Sequence, residues 1–234
     1  LLNILKEHNI GVDELYCNPH WPLNEEFSRK IASQGEIPSK IHNNCSGKHT
    51  AMLLMCQYFG FEYDQYWSKD HPLQKLLIDY LSDLFEYKLT NIAIDGCGAP
   101  IPYIDSRNVI HAANKLLIED SDIAEAWKRI TSSMKENPYL VAGTGRFDSV
   151  LMDRSSQKLT AKVGAEGVIF LHSEKDTKIM KSLDGSRRGA DLLAIYFARE
   201  KGLIPVDLFE IEIETIYNKQ EQEVGSIEIQ EYIF

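Results

Sequence analysis

Leu159-Thr160-Ala161-Lys162-Val163, then Val168-Ile169-Phe170-Leu171-His172, then Thr177 to Leu183, follow one another with only turn residues between them. Asp184-Gly185-Ser186 then opens a helical pattern that runs to about Lys201. Short apolar runs bounded by Gly, Ser and Asp read as strands, and a series of them without intervening helices predicts an antiparallel sheet. Val150-Leu151-Met152 reads as a further short strand ahead of the series, and residues 209–217 and 224–233, with Ile227, Ile229 and Tyr232, as strands after the helix.

Upstream of the strand run the patterning is helical. The first ten residues (Leu1, Leu2, Leu5) look like the end of a helix that Gly11 stops, and Asn24 caps a helix from Glu25 to Gln34. Residues 45–60 predict a helix with Ala51, Leu54, Met55 and Tyr58 on one face, ended by Gly60. Residues 72–87 form the clearest amphipathic stretch, with Pro72 in its first turn and Leu73, Leu76, Leu77, Tyr80, Leu81 and Leu84 on one face. A short strand at 91–94 and helices at 107–118 and 121–135 complete the first half. Helices first, then strands, one long helix and more strands make an α+β fold rather than a doubly wound parallel one. No repeat, low-complexity tract or linker divides the 234 residues, so the expectation is a single domain over 1–234.

The chain is 44% hydrophobic and 26% charged, with 25 basic against 35 acidic residues and a net charge of −10. Such an acidic balance disfavours nucleic acid and anionic membrane surfaces as partners. No apolar run approaches the ~20 residues of a membrane span, and no leader peptide is visible. The four cysteines, Cys17, Cys45, Cys56 and Cys97, are not needed as staples in a chain this long, and a reduced, cytoplasmic protein is the expectation.

Several segments carry chemistry. In His42-Asn43-Asn44-Cys45-Ser46-Gly47-Lys48-His49 small polar residues lead into a helix, whose free N–H groups and neighbouring Lys48 would favour a thiolate at Cys45. The alternative is simple capping by Ser46. The segment is not a phosphate-binding loop, because the first Gly is missing and His49 stands where Ser or Thr belongs. Asp95-Gly96-Cys97-Gly98 sets a cysteine on a tight turn after a strand; it is either a buried small residue or, with Cys45, half of a two-thiolate zinc site. In Gly143-Thr144-Gly145-Arg146-Phe147-Asp148, Arg146 could grip a carboxylate or pair with Asp148. Lys162, beside Gly164 and Glu166, is either a cation in a cleft or an ordinary strand-surface lysine; Lys162-Val163-Gly164 also has the K-x-G shape of penicillin-recognising serine hydrolases. Ser132-x-x-Lys135 and Ser155-x-x-Lys158 match S-x-x-K, a pattern common enough to arise by chance. Among the histidines, His20 in the rigid His20-Trp21-Pro22 loop stands out.

Taken in order, Cys45-Ser-Gly-Lys-His49, Asp95-Gly-Cys-Gly98, Val141-Ala-Gly-Thr-Gly-Arg-Phe-Asp148, Lys162-x-Gly-Ala-Glu-Gly167, Asp184-Gly-Ser-x-Arg188 and the Cys17-x-x-His-Trp-Pro22 loop resemble the asparaginase II family of the Rhizobium etli type, across essentially the whole chain. The resemblance implies a serine β-lactamase-like α/β/α arrangement, a homodimer, and hydrolysis of L-asparagine to L-aspartate and ammonia. It implies zinc held by Cys45, Lys48 and Cys97, with Asp95 orienting Lys48, and Lys162 as the strand lysine of the catalytic centre. Arg146, Glu166 and His49 are the corresponding substrate-binding candidates. In that family the S-x-x-K serine lies upstream of the segment matched by Leu1, so the expectation is an N-terminally incomplete chain without its nucleophile. Val163 departs from the family's usual glycine. A non-catalytic module that binds zinc and an amino acid, and a penicillin-recognising hydrolase, are the competing readings.

Overall fold

The computed structural model describes residues 1–205 and 213–230. Their contacts group into two compact units, Leu1–Asn108 and Val109–Phe234. The first holds α1 (Leu2–Glu7), α2 (Glu25–Ser33), α3 (Ser46–Phe59), α4 (Pro72–Leu84) and an antiparallel pair of short strands, β1 (Ile92–Ile94) and β2 (Pro100–Pro102). Asn24 caps α2 by accepting from Phe27 N–H at 2.8 Å, and Gly60 ends α3 at φ +70°. Leu5, Leu15, Cys17, Leu53, Cys56, Tyr66 and Leu73 form the buried core of this unit.

The face of α3 that is buried is not the one its apolar residues suggest. His49, Thr50, Met52, Leu53 and Cys56 face inward, while Ala51 and Tyr58 are exposed and Leu54 and Met55 half-buried. The helix is apolar on nearly all sides, so its hydrophobic pattern selects no direction. Polar partners for His49 and a slot for Cys56 decide the rotation instead.

After α5 (Ser106–Ile118), in whose first turn the two units divide, the second unit holds α6 (Asp122–Glu136), α7 (Pro138–Ala142) and α8 (Phe147–Arg154). The central sheet follows: β3 (Leu159–Val163), β4 (Val168–Ser173) and β5 (Thr177–Lys181), in the order β3-β4-β5 and antiparallel throughout. Lys162 pairs with Phe170, and Ile169 with Met180. Two faces result from the period-2 alternation. Leu159, Ala161, Ile169, Leu171 and Met180 share one core with Ala190, Ala194 and Ala198 of α9 (Arg187–Glu200). Alanines four residues apart form a smooth stripe that lets the helix lie close to the strands. On the opposite face Trp127 of α6 packs edge-on against Phe170 and His172. Helix, sheet and helix are thus layered within this unit, and the α+β class with an antiparallel sheet holds. A last hairpin pairs β6 (Ile213–Tyr217) with β7 (Glu223–Glu228). The strand expectations at 209–212 and 231–233 fall outside the described residues.

The expected strand at Val150-Leu151-Met152 is instead part of α8. Three consecutive apolar residues carry neither a helical nor a strand period, and both Leu151 and Met152 are fully buried, so tertiary packing decides the conformation. Among the described residues no helix is long and apolar enough to cross a membrane.

Candidate functional site

In the first unit the start of α3 and the 95–99 loop meet. Cys45 occupies the N-cap position, and its amide donates to Asn43 Oδ1 at 2.7 Å. Ser46 does not cap; its hydroxyl donates to Ile41 O at 3.1 Å. Asp95 organises the loop. Its Oδ1 accepts from the amides of Cys97 at 2.9 Å and Ala99 at 3.0 Å and from the Cys97 thiol at 3.0 Å, while its Oδ2 accepts from Lys48 Nζ. A side-chain carboxylate standing in for backbone acceptors makes a tight turn of this kind. Burial pushes the Asp95 carboxyl up, but the thiol, ammonium and amide donors outweigh it and hold it at about 2.

Lys48 is a charged ammonium in this arrangement. Burial disfavours the charge, and the Asp95 and Cys97 contacts more than restore it, moving the amine above its ordinary value. Burial pushes the Cys97 thiol up, with Asp95 adding to it. His49 is fully buried, with Nδ1 2.6 Å from the Tyr66 hydroxyl and Nε2 3.1 Å from Cys97 Sγ. Burial, helped by the Lys48 charge, lowers its basicity. Gly98 has φ +90°, and a Cβ there would lie 2.5 Å from the Tyr16 ring, so only glycine lets Tyr16 stack at 3.6 Å on Trp67 beside the loop. His20 reaches the same region: it accepts from Asn44 N–H at 3.2 Å and donates through Nδ1 to Trp21 O at 2.6 Å.

Zinc, implied by the resemblance, can be tested against these donors. Two thiols and an amine are borderline-soft ligands suited to that ion. Cys45 and Lys48 lie three residues apart at one helix start and so share a face. Lys48 and Cys97 converge on one carboxylate, that of Asp95. The donor chemistry fits. Among the described residues no three His, Cys, Asp or Glu side chains are arranged as a metal-binding group. Lys48 would have to give up its proton to ligate. All four cysteines are free thiols; Cys17 and Cys56 are core residues.

In the second unit Lys162, at the end of β3, is half-exposed at 50%, while its partner Asp148, in the first turn of α8, is 2% exposed. Asp148 Oδ2 accepts from Lys162 Nζ and from Val163 N–H, both at 3.1 Å, and its Oδ1 is buried with no partner. Asp148 therefore belongs to Lys162, not to Arg146, which is the N-cap residue of α8 and half-buried. Glu166 is exposed on the β3–β4 turn at φ +57°, with its carboxylate against Gly185. The two S-x-x-K serines are engaged elsewhere: Ser132 donates to Glu136 at 3.0 Å and buried Ser155 to Met152 O at 2.7 Å.

The structure thus joins Lys48, His49, Asp95 and Cys97 in one unit, and joins Lys162 to Asp148 in the other. Tyr66 and the Asp148–Lys162 pair escape sequence reasoning. Tyr66 lies in a loop with no motif, and only the fold brings its hydroxyl to His49. No curated protein matches the chain. The model of the L-asparaginase II family matches residues 1–229, a span that includes every cluster described above, and the chain belongs to that family.

Proposed function

We infer that the protein is an L-asparaginase-like amidohydrolase in which water replaces the side-chain amide nitrogen of L-asparagine to give L-aspartate and ammonia. What carries this reading is the family match over residues 1–229. In the second unit Lys162 offers a fixed cation: its ammonium is tethered to a buried carboxylate while half of the side chain stays open to solvent. A cation held this way suits an oxyanion developing during amide hydrolysis. Arg146 is matched to the substrate carboxylate and Glu166 to its ammonium, by charge and by planar guanidinium geometry. In the first unit Cys45, Lys48 and Cys97 would hold the zinc ion, which when bound supplies Lewis-acid polarisation. Asp95 orients Lys48; His49, the third substrate-binding candidate, is fully buried against Tyr66 and Cys97 and so bears on the site through Cys97. A β-lactamase-like α/β/α arrangement, a homodimer and a cytoplasmic location complete the proposal.

Ser132 and Ser155, the two internal S-x-x-K serines, donate to Glu136 and to Met152 O rather than to a lysine base. The purified protein is expected to release ammonia from L-asparagine, with Lys162→Met about 100-fold slower, as an ammonia assay would show. Absence of turnover, with L-asparagine or L-aspartate still bound in calorimetry, would favour a non-catalytic amino-acid-binding module, a reading supported by the engagement of Ser132 and Ser155.

A further inference from the structure

We propose that Tyr66 is a positioning residue that fixes the proton arrangement of His49 and thereby aims the Cys97 sulfur; the proposal deepens the zinc reading above. The Tyr66 hydroxyl is buried, and the Tyr16 backbone N–H donates to it at 2.9 Å. Its second partner is His49 Nδ1 at 2.6 Å. A hydroxyl that already accepts an amide has its own proton left to give, and a buried phenol without an acceptor is strongly disfavoured. Tyr66 therefore donates to Nδ1, and His49 carries its ring proton on Nε2.

That nitrogen lies 3.1 Å from Cys97 Sγ, so the imidazole donates to the sulfur. The thiol proton in turn points to Asp95 Oδ1 at 3.0 Å, and the other oxygen of Asp95 accepts from Lys48. Every donor from the Tyr16 amide to Asp95 is oriented in one direction. The arrangement needs no charged histidine. It leaves Cys97 held from behind by an N–H donor, as thiolate ligands are commonly held by groups around a metal. Stacking of Tyr16 on Trp67, and the absence of a Cβ at Gly98, keep the Tyr16 segment in register with the phenol.

Two measurements on the metal-free and zinc-titrated chain test this. The imidazole 15N spectrum, with His49 assigned by its loss in His49→Gln, is expected to show the Nε2–H tautomer in the wild-type protein. In Tyr66→Phe it is expected to shift toward Nδ1–H or a mixture. Competition with a chromophoric chelator is expected to show Zn2+ held about tenfold or more weakly by Tyr66→Phe, the range seen when a group supporting a ligand is removed. An Nδ1–H tautomer in the wild type overturns the proposal, and this measurement stands even where Tyr66→Phe fails to fold. An unmoved tautomer in a folded Tyr66→Phe, or equal zinc affinity, also overturns it. No zinc uptake by the wild type removes the metal reading of the site, while the tautomer result still decides the role of Tyr66.

Discussion

Gly167 has φ +66°, and a Cβ there would overlap the Ser182 hydroxyl and lie 2.6 Å from Ser186 O. Because the second neighbour is backbone, it cannot step aside as a flexible side chain would. Gly167→Ala is expected to lower stability by about 2–4 kcal/mol, combining left-handed strain and overpacking, as measured by urea unfolding. Asp148 is the second decisive single residue. Its ion pair with half-exposed Lys162 is screened by solvent and counts for little. Its bond to the Val163 amide is shielded, so Asp148→Ala should cost about 1–3 kcal/mol through the unpaired N–H, with Lys162→Met costing less. Asp148 stands in a motif visible in the sequence, yet sequence spacing offered Arg146 as its partner. Arg146 lies just outside α8 and Asp148 inside it, so the two side chains leave the backbone in different surroundings.

At the level of elements, termini were more legible than faces. Ser121 caps α6 by accepting from Ala124 N–H at 3.2 Å, and Ser121→Ala is expected to cost about 1 kcal/mol by thermal or urea unfolding. β4 carries a pH dependence that no pattern announces. His172 is buried between α6 and β5, where Trp127 Nε1–H donates to its Nε2 at 3.0 Å and its Nδ1–H donates to Thr177 at 2.8 Å. Burial, aided by the Lys135 charge, lowers its pKa from 6.5 to about 4. The unfolded chain binds this proton first, so the stabilisation is full above pH 6.5 and is lost as pH falls toward 4. The loss amounts to about 3 kcal/mol, and the difference between wild type and His172→Gln across that window measures it. The helix at 150–152, where the sequence predicts a strand, and the rotation of α3 share one cause. Where apolar residues surround an element or form an unbroken triplet, period carries no information, and the neighbours decide.

For the whole molecule, the testable consequence of the metal reading is stoichiometric. The purified chain is expected to take up one Zn2+ with a rise in thermal midpoint, and Cys97→Ser is expected to abolish both, as judged by elemental analysis alongside the melt. Unchanged zinc content in Cys97→Ser would remove that cysteine from the ligand set. The helix-rich first half, the antiparallel central sheet with its following helix, the caps at Asn24 and Gly60 and the family membership were readable from the 234 residues, because they depend on local period, turn chemistry and short ordered motifs. The union of Lys48 with Asp95, of His49 with Tyr66 and of Lys162 with Asp148 was not, since these partners lie 47, 17 and 14 residues apart. Such pairings arise where buried polar groups must find partners, a demand that exists only once the chain has folded around them.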